Sequence, residues 1–182
     1  MREWIDKANP TYPCLIDKDH TIAELYDMVN VPNAVWINEE GQIVRSPEPA
    51  GWNDGWRTNN QEDLKQSKNA YFDALRDWVQ KGQTSQYVLP AEEVSRRMSG
   101  PTKEHVLAIA NFRMGLYLTE LGDEEKAKIY FNKAIKLHPD SWNIKRQSWW
   151  LVESKEEQRN KFLEALNELQ DRPYYPPVEL IK

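Results

Sequence analysis

Short apolar runs bounded by turn residues mark much of the first 60 positions of this chain, whereas beyond Thr102 apolar residues recur every three or four positions. Residues 2–8 fit a short helix that Asn9 and Pro10 stop, because proline disfavours helical geometry in the residue before it. "PCLID", residues 13–17, is a compact apolar run and predicts a short strand. In "DKDHTIAELYDMV" Thr21 stands as an N-cap with Glu24 three residues on, a capping box, and Ile22, Leu25, Tyr26 and Val29 follow at helical spacing. "AVWI" and "QIVR" flank "NEEG" and predict a hairpin whose Gly41 takes positive φ in the turn.

Leu64, Tyr71, Leu75, Trp78 and Val79 predict a helix over 61–80, with Lys81 in its basic last turn and Gly82 just past its end. The link before it, "SPEPAGWNDGWRTNN", predicts a loop that packs its own Trp52 and Trp56. A second linker, about 83–89, ends at Pro90, which suits the first turn of a helix "AEEVSRRM" that "SGP" breaks. Beyond Thr102 the pattern is helical throughout. A helix over 103–121 stops at Gly122, Asp123 caps the next, Pro139 ends that one, and Ser141 and Ser154 begin two more. The tail "DRPYYPPVELIK" cannot be helical at its prolines and is expected to lie extended over the surface. The expected fold class is α+β: a β-containing unit over 1–82, then an all-α array over 83–182 with an extended tail.

Within the helical half, "NFRMGLYLTELGDEEKAKIYFNKAIKLHPD" resembles the tetratricopeptide pattern. Met114 and Gly115 match its Leu-Gly, Leu118 its aromatic, and Gly122 its turn, with Ala127, Phe131, Ala134 and Pro139 following; Asn111 stands where the pattern usually has Trp. Gly115 and Ala127 are small where two antiparallel helices touch. One repeat cannot bury its own face, so "SWNIKRQSWWLVES" and a helix over 155–169 are expected to form a second, degenerate pair. Such an array offers a groove that grips a peptide, or a solid extension that stabilises the first unit; with so few repeats the second reading is favoured.

The order "YPCLIDKDHTIAELYDMVNVPNAVWINEEGQIVR" resembles the second half of a thioredoxin-like redoxin domain, the family of thiol-disulfide oxidoreductases and peroxiredoxin relatives. Residues 12–17 correspond to its strand, Val31 and Pro32 to its turn, and residues 35–44 to its hairpin. The resemblance implies that Pro32, after Val31, is the family's cis-proline, whose neighbours present backbone to a bound thiol or peptide. The family's strand, redox helix and second strand would precede Pro10, where only nine residues stand. Their absence would leave unpaired edges in the partial thioredoxin-like sheet, which the remaining pieces or a second copy of the chain must cover, so a homodimer is expected. Cys14 falls where the family has no catalytic residue and is expected to be a small buried hydrophobe.

Composition removes further options. The net charge of -5 argues against nucleic acid or an anionic membrane as partner. No run of roughly 18 apolar residues and no apolar signal core appears, so the chain is expected to be soluble and cytoplasmic. A single cysteine permits no intramolecular disulfide, no Cys-X-X-Cys pair and no multi-Cys zinc site. His20, His105 and His138 lie far apart beside helix ends and are expected at termini or on the surface. The carboxylates of "NEEG" are expected to be solvated, and Asp17 and Asp19 to serve turns and caps. No phosphate-loop, dinucleotide or serine-hydrolase motif is present, and no cofactor or metal is expected.

Trp142 and Trp149 share one helical face, fitting a core or interface, and with Trp150 they form the best candidate for an interaction surface. The expected function is that of a non-catalytic protein-interaction or structural protein with a protein or peptide partner. The alternative is a thiol-disulfide or peroxide oxidoreductase whose Cys-X-X-Cys segment is missing from this chain.

Overall fold

The computed structural model describes residues 2–98 and 100–180, except for the Arg2 side chain. Ser99 of the expected Ser-Gly-Pro break and positions 181 and 182 of the tail lie outside the described residues. The fold is mostly helical with one small antiparallel sheet, an α+β arrangement ending in a helical array.

α1 (Arg2–Ala8) is followed by exposed coil through residue 17, not by a strand. Leu15 is 91% exposed there, since a short apolar run gains little as a strand unless another strand supplies its ladder. α2 (Thr21–Leu25) is shorter than its apolar spacing predicts, and Thr21 is not its N-cap. His20 holds that position with φ 56, and the Asp17 carboxylate reaches forward to accept from the amides of Ile22 and Ala23 at 2.9 and 3.0 Å. The aspartate so satisfies two donors that the first turn leaves free.

β1 (Ala34–Ile37) and β2 (Ile43–Glu48) form the hairpin, with register shifts on either side of Trp36. β2 runs past Arg45 to Glu48, beyond the expected end. The sheet packs on α3 (Gln61–Lys81): Trp36 donates its indole N–H to the Tyr71 hydroxyl at 2.7 Å and stacks on Trp78. Burial pushes the Tyr71 phenol up to about 12.

Arg45, 1% exposed, donates to both Glu48 carboxylate oxygens at 2.6 and 3.0 Å, to the Tyr87 carbonyl at 2.9 Å and to the Glu179 carbonyl at 2.7 Å. One side chain thus fastens the hairpin to the second linker and to the tail. Burial, opposed by Arg45, holds the Glu48 carboxyl above its ordinary value.

α4 (Ala91–Arg97) leads to two helical hairpins, α5 (Lys103–Glu120) with α6 (Glu124–Leu137), and α7 (Trp142–Val152) with α8 (Lys155–Asn167). Thr102, Asp123, Ser141 and Ser154 cap them, Ser154 in a full capping box with Glu157. Gly115 on α5 lets Phe131 of α6 lie against the helix backbone: a Cβ at position 115 would stand 2.4 Å from a ring carbon. Ala108, Phe112, Ala127, Phe131 and Ala134 are buried there, and Ile144 and Val152 of α7 complete the cluster. The second pair therefore finishes a core that the first cannot close alone.

The tail does not lie over the surface as its prolines suggest. Tyr174 and Tyr175 are buried among Trp142, Trp149, Ala165 and Leu169, with Trp52 and Trp56 packed against the same cluster. The loop tryptophans meet these tyrosines at 5.3 to 6.4 Å. Asp54 fixes the register by accepting from the amides of Tyr174 and Tyr175, each at 2.9 Å.

Candidate functional site

The face made by α5 and α7, the first helices of the two hairpins, is where the helical array meets residues 17–31. On α5, Phe112 takes the His20 ring edge-on at 5.2 Å between centroids. One residue on, the Arg113 guanidinium meets the Glu24 carboxylate at 2.5 Å, and near the helix end Glu120 meets Lys18 at 3.0 Å.

α7 supplies the other half. Asn143 is its second residue, so its N–H is among the donors that a helix start cannot satisfy internally. That N–H donates to the Val29 carbonyl at 3.0 Å, and the Asn143 side-chain amide donates to the Met28 carbonyl. The tail continues the grip: the Tyr175 hydroxyl donates to the Val31 carbonyl at 2.6 Å, and the Asn30 amide donates to the Tyr174 carbonyl at 3.3 Å. Burial pushes the Tyr175 phenol up to about 12, so it stays a donor. The carbonyls of residues 28, 29 and 31 are thus all held through main-chain atoms, which is recognition indifferent to side-chain identity.

Between α2 and the array lies an open cavity of about 290 Å³, lined by Met28, Ile109, Phe112 and Ile144 together with His20 and His138. The His138 ring stacks on His105 at 3.7 Å with 8° between planes. Burial lowers His138 below the ordinary imidazole range, helped by His105 and opposed by Asp27 and Asp140. Burial also lowers His20, against the pull of Asp17 and Asp19. These histidines do flank helix ends, yet they are not surface groups: His138 is buried and His20 half-buried. No local motif announces this gathering, since the three reach one region only through the packing of α2 and α6 on α5.

Trp142 and Trp149 are buried in the cluster around Tyr174, whereas Trp150 is 71% exposed. Trp150 shares a shallow surface depression with Val31, Asn143, Arg146 and Gln147. The Val31–Pro32 peptide bond is cis. Cys14, expected to be buried, is exposed in the coil that replaces the predicted strand. Glu39 and Glu40 are exposed on the hairpin turn. Asn143 and Arg113 were not among the residues singled out by sequence, and Glu24 was read only as the capping-box partner of Thr21; only the position of Asn143 just after the Ser141 cap could have drawn attention to its free N–H.

Among the described residues no group of three His, Cys, Asp or Glu is placed to hold a metal ion, and no helix is long and apolar enough to cross a membrane. The chemistry assembled on the face is a pair of donors for main-chain carbonyls, one cation for a carboxylate and an apolar hollow. Residues 108–141, which cover most of α5, all of α6 and the link up to the Ser141 cap of α7, match the family model described as Tetratricopeptide repeat. No curated protein and no solved structure matches the chain.

Proposed function

We propose that this chain is a non-catalytic protein-association module whose α5/α7 face binds extended polypeptide. The observation that carries the reading is Asn143, which engages the carbonyls of two successive residues, Met28 and Val29, and so holds main chain the way a peptide receptor would. The match of residues 108–141 to a tetratricopeptide repeat supports a role in protein interaction, because stacked helical hairpins present extended binding surfaces.

The organisation we propose is a truncated thioredoxin-like unit over 1–82 and a helical domain over 83–182, joined through Arg45. The order of motifs over residues 12–45 supports the first assignment, and the absence of strand structure at 13–17 marks where this unit departs from that pattern. A homodimer belongs to the same reading: among the described residues β1 pairs with β2 on one side only, and Tyr12, Leu15, Ile16 and Leu25 nearby in sequence are exposed. Its mass in sedimentation should correspond to two chains.

The test has a chemical and a binding arm. Insulin reduction and peroxide turnover should stay at background for the wild type and for Cys14→Ser; turnover that Cys14→Ser abolishes overturns the non-catalytic reading. A random peptide library panned on the immobilised full chain should enrich sequences whose capture falls in Asn143→Ala and Arg113→Glu. Enrichment indifferent to both substitutions contradicts the assignment of the face.

A further inference from the structure

Resting on that reading, we infer that residues 17–29 are a resident occupant of the α5/α7 face, and that the outside ligand is an acidic peptide of the same layout carrying a larger apolar side chain where this chain has Ala23.

Three observations lead there. The first is how lightly the segment is attached. α2 buries none of its residues, Ile22 and Leu25 are exposed, and the coil before it is exposed as well. Apart from the half-buried His20 ring on Phe112, its side-chain ties are ion pairs at the surface: Arg113 is 51% and Glu24 30% exposed, and Lys18 and Glu120 more so. Such pairs hold weakly, because solvent and salt screen them. Segments with few buried contacts open first, well below the free energy of global unfolding.

The second is where the attachment becomes firm. Asn30 is buried and tied to the Tyr174 carbonyl, while Val31 is tied to Tyr175. Residues 17–29 can therefore leave the face while Asn30 and Val31 remain anchored. Asn143 would then offer both of its donors to another main chain, and Arg113 its guanidinium to another carboxylate.

The third is the misfit between occupant and face. The cavity is lined by Ile109, Phe112 and Ile144 of the face and by Ala23, Leu25, Met28 and Val29 of the segment, Ala23 and Leu25 being the apolar α2 residues among them. Leu25 itself is 71% exposed, so within α2 the hollow of about 290 Å³ is met by the Ala23 methyl group, while Met28 and Val29 border it from the residues after the helix. A well-matched ligand would fill that space, because unfilled apolar volume forfeits dispersion contacts. The specificity that follows is a carboxylate opposite Arg113, a branched or aromatic side chain one residue earlier, and two extended residues under Asn143.

The experiment titrates fluorescein-labelled peptides with full-length protein and reads anisotropy. One peptide has the sequence of residues 17–29; the other carries Leu in place of Ala23. Glu24→Arg loosens the resident segment by setting two cations against each other, and it should bind the first peptide about fivefold more tightly than the wild type does. The Leu peptide should bind about tenfold more tightly than the first to every form that binds. Asn143→Ala should weaken both, with far-UV circular dichroism unchanged. Equal affinity of wild type and Glu24→Arg, with Asn143→Ala still weakened, overturns the resident occupant and leaves the face as a peptide site. Equal affinity of the two peptides overturns the cavity's role. No binding by any form removes the peptide-site reading itself.

Discussion

Arg45 and Glu48 form a buried ion pair within one strand, with side-chain exposures of 1% and 9%, and the arginine also donates to the Tyr87 carbonyl through Nη1 and to the Glu179 carbonyl through Nη2, which Glu48 shares. Removing one charge of a buried pair costs about 3–5 kcal/mol, since the other is left without a partner. Arg45→Met should lower the urea-unfolding free energy by about that amount. The double substitution Arg45→Met with Glu48→Leu should recover only part of the loss, because two carbonyls then lack their donor, at about 1–3 kcal/mol each if they stay buried. Full recovery would show that these carbonyls find other partners.

Gly115 is fixed by the ring of Phe131, not by backbone conformation. Gly115→Ala gains about 1 kcal/mol of helix propensity but drives a methyl group into the ring. The overpacking costs about 1–3 kcal/mol, so the variant should unfold at lower urea than the wild type. Adding Phe131→Leu should relieve the clash, leaving the double variant closer to Phe131→Leu alone than additivity allows.

Asp54 holds the tail through two amides and contacts Arg57 at 3.3 Å. Hydrogen bonds to a charged group contribute about 1.5–3 kcal/mol each. In Asp54→Ala, Tyr174 and Tyr175 lose their register against Trp52 and Trp56. Limited proteolysis should cut near 173–176 at protease levels that spare the wild type, and tryptophan fluorescence should shift to the red.

The lowered histidines give stability a pH dependence of definite sign. Burial depresses His20 and His138 in the folded chain, so below about pH 6.5 the unfolded chain binds more protons. Stability should therefore fall as pH falls through that value and level off below the folded-state pKa values. For His20 the carboxylates of Asp17 and Asp19 oppose the effect; for His138, Asp27 and Asp140 oppose it and His105 adds to it. Urea midpoints taken from about pH 7.5 to about pH 5 should drop less in His20→Gln/His138→Gln than in the wild type.

The helical half was legible because its ends are written locally. Asp123, Ser141 and Ser154 each accept from an amide two or three residues into the helix that follows, and Gly122 takes φ 78 at the turn. The small residues of the repeat pattern likewise name their own contacts. What the sequence concealed is long-range. Residues 13–17 have the composition of a strand, but a strand is decided by its neighbour, and among the described residues none pairs with it. The tail's burial depends on Asp54, about 120 positions earlier in sequence. The candidate site was hidden for the same reason: Asn143 carries no motif, and its role follows only from Met28 and Val29 lying across the start of α7.

The most direct measurement of the central claim, that the α5/α7 face holds polypeptide through its main chain, is hydrogen exchange by mass spectrometry on the full chain. Replacing Asn143 with Ala removes the bond from its amide to the Met28 carbonyl, so exchange over residues 21–29 should quicken by about twofold to tenfold. The hairpin at 34–48 should exchange as in the wild type. Unchanged exchange over residues 21–29 would contradict the account.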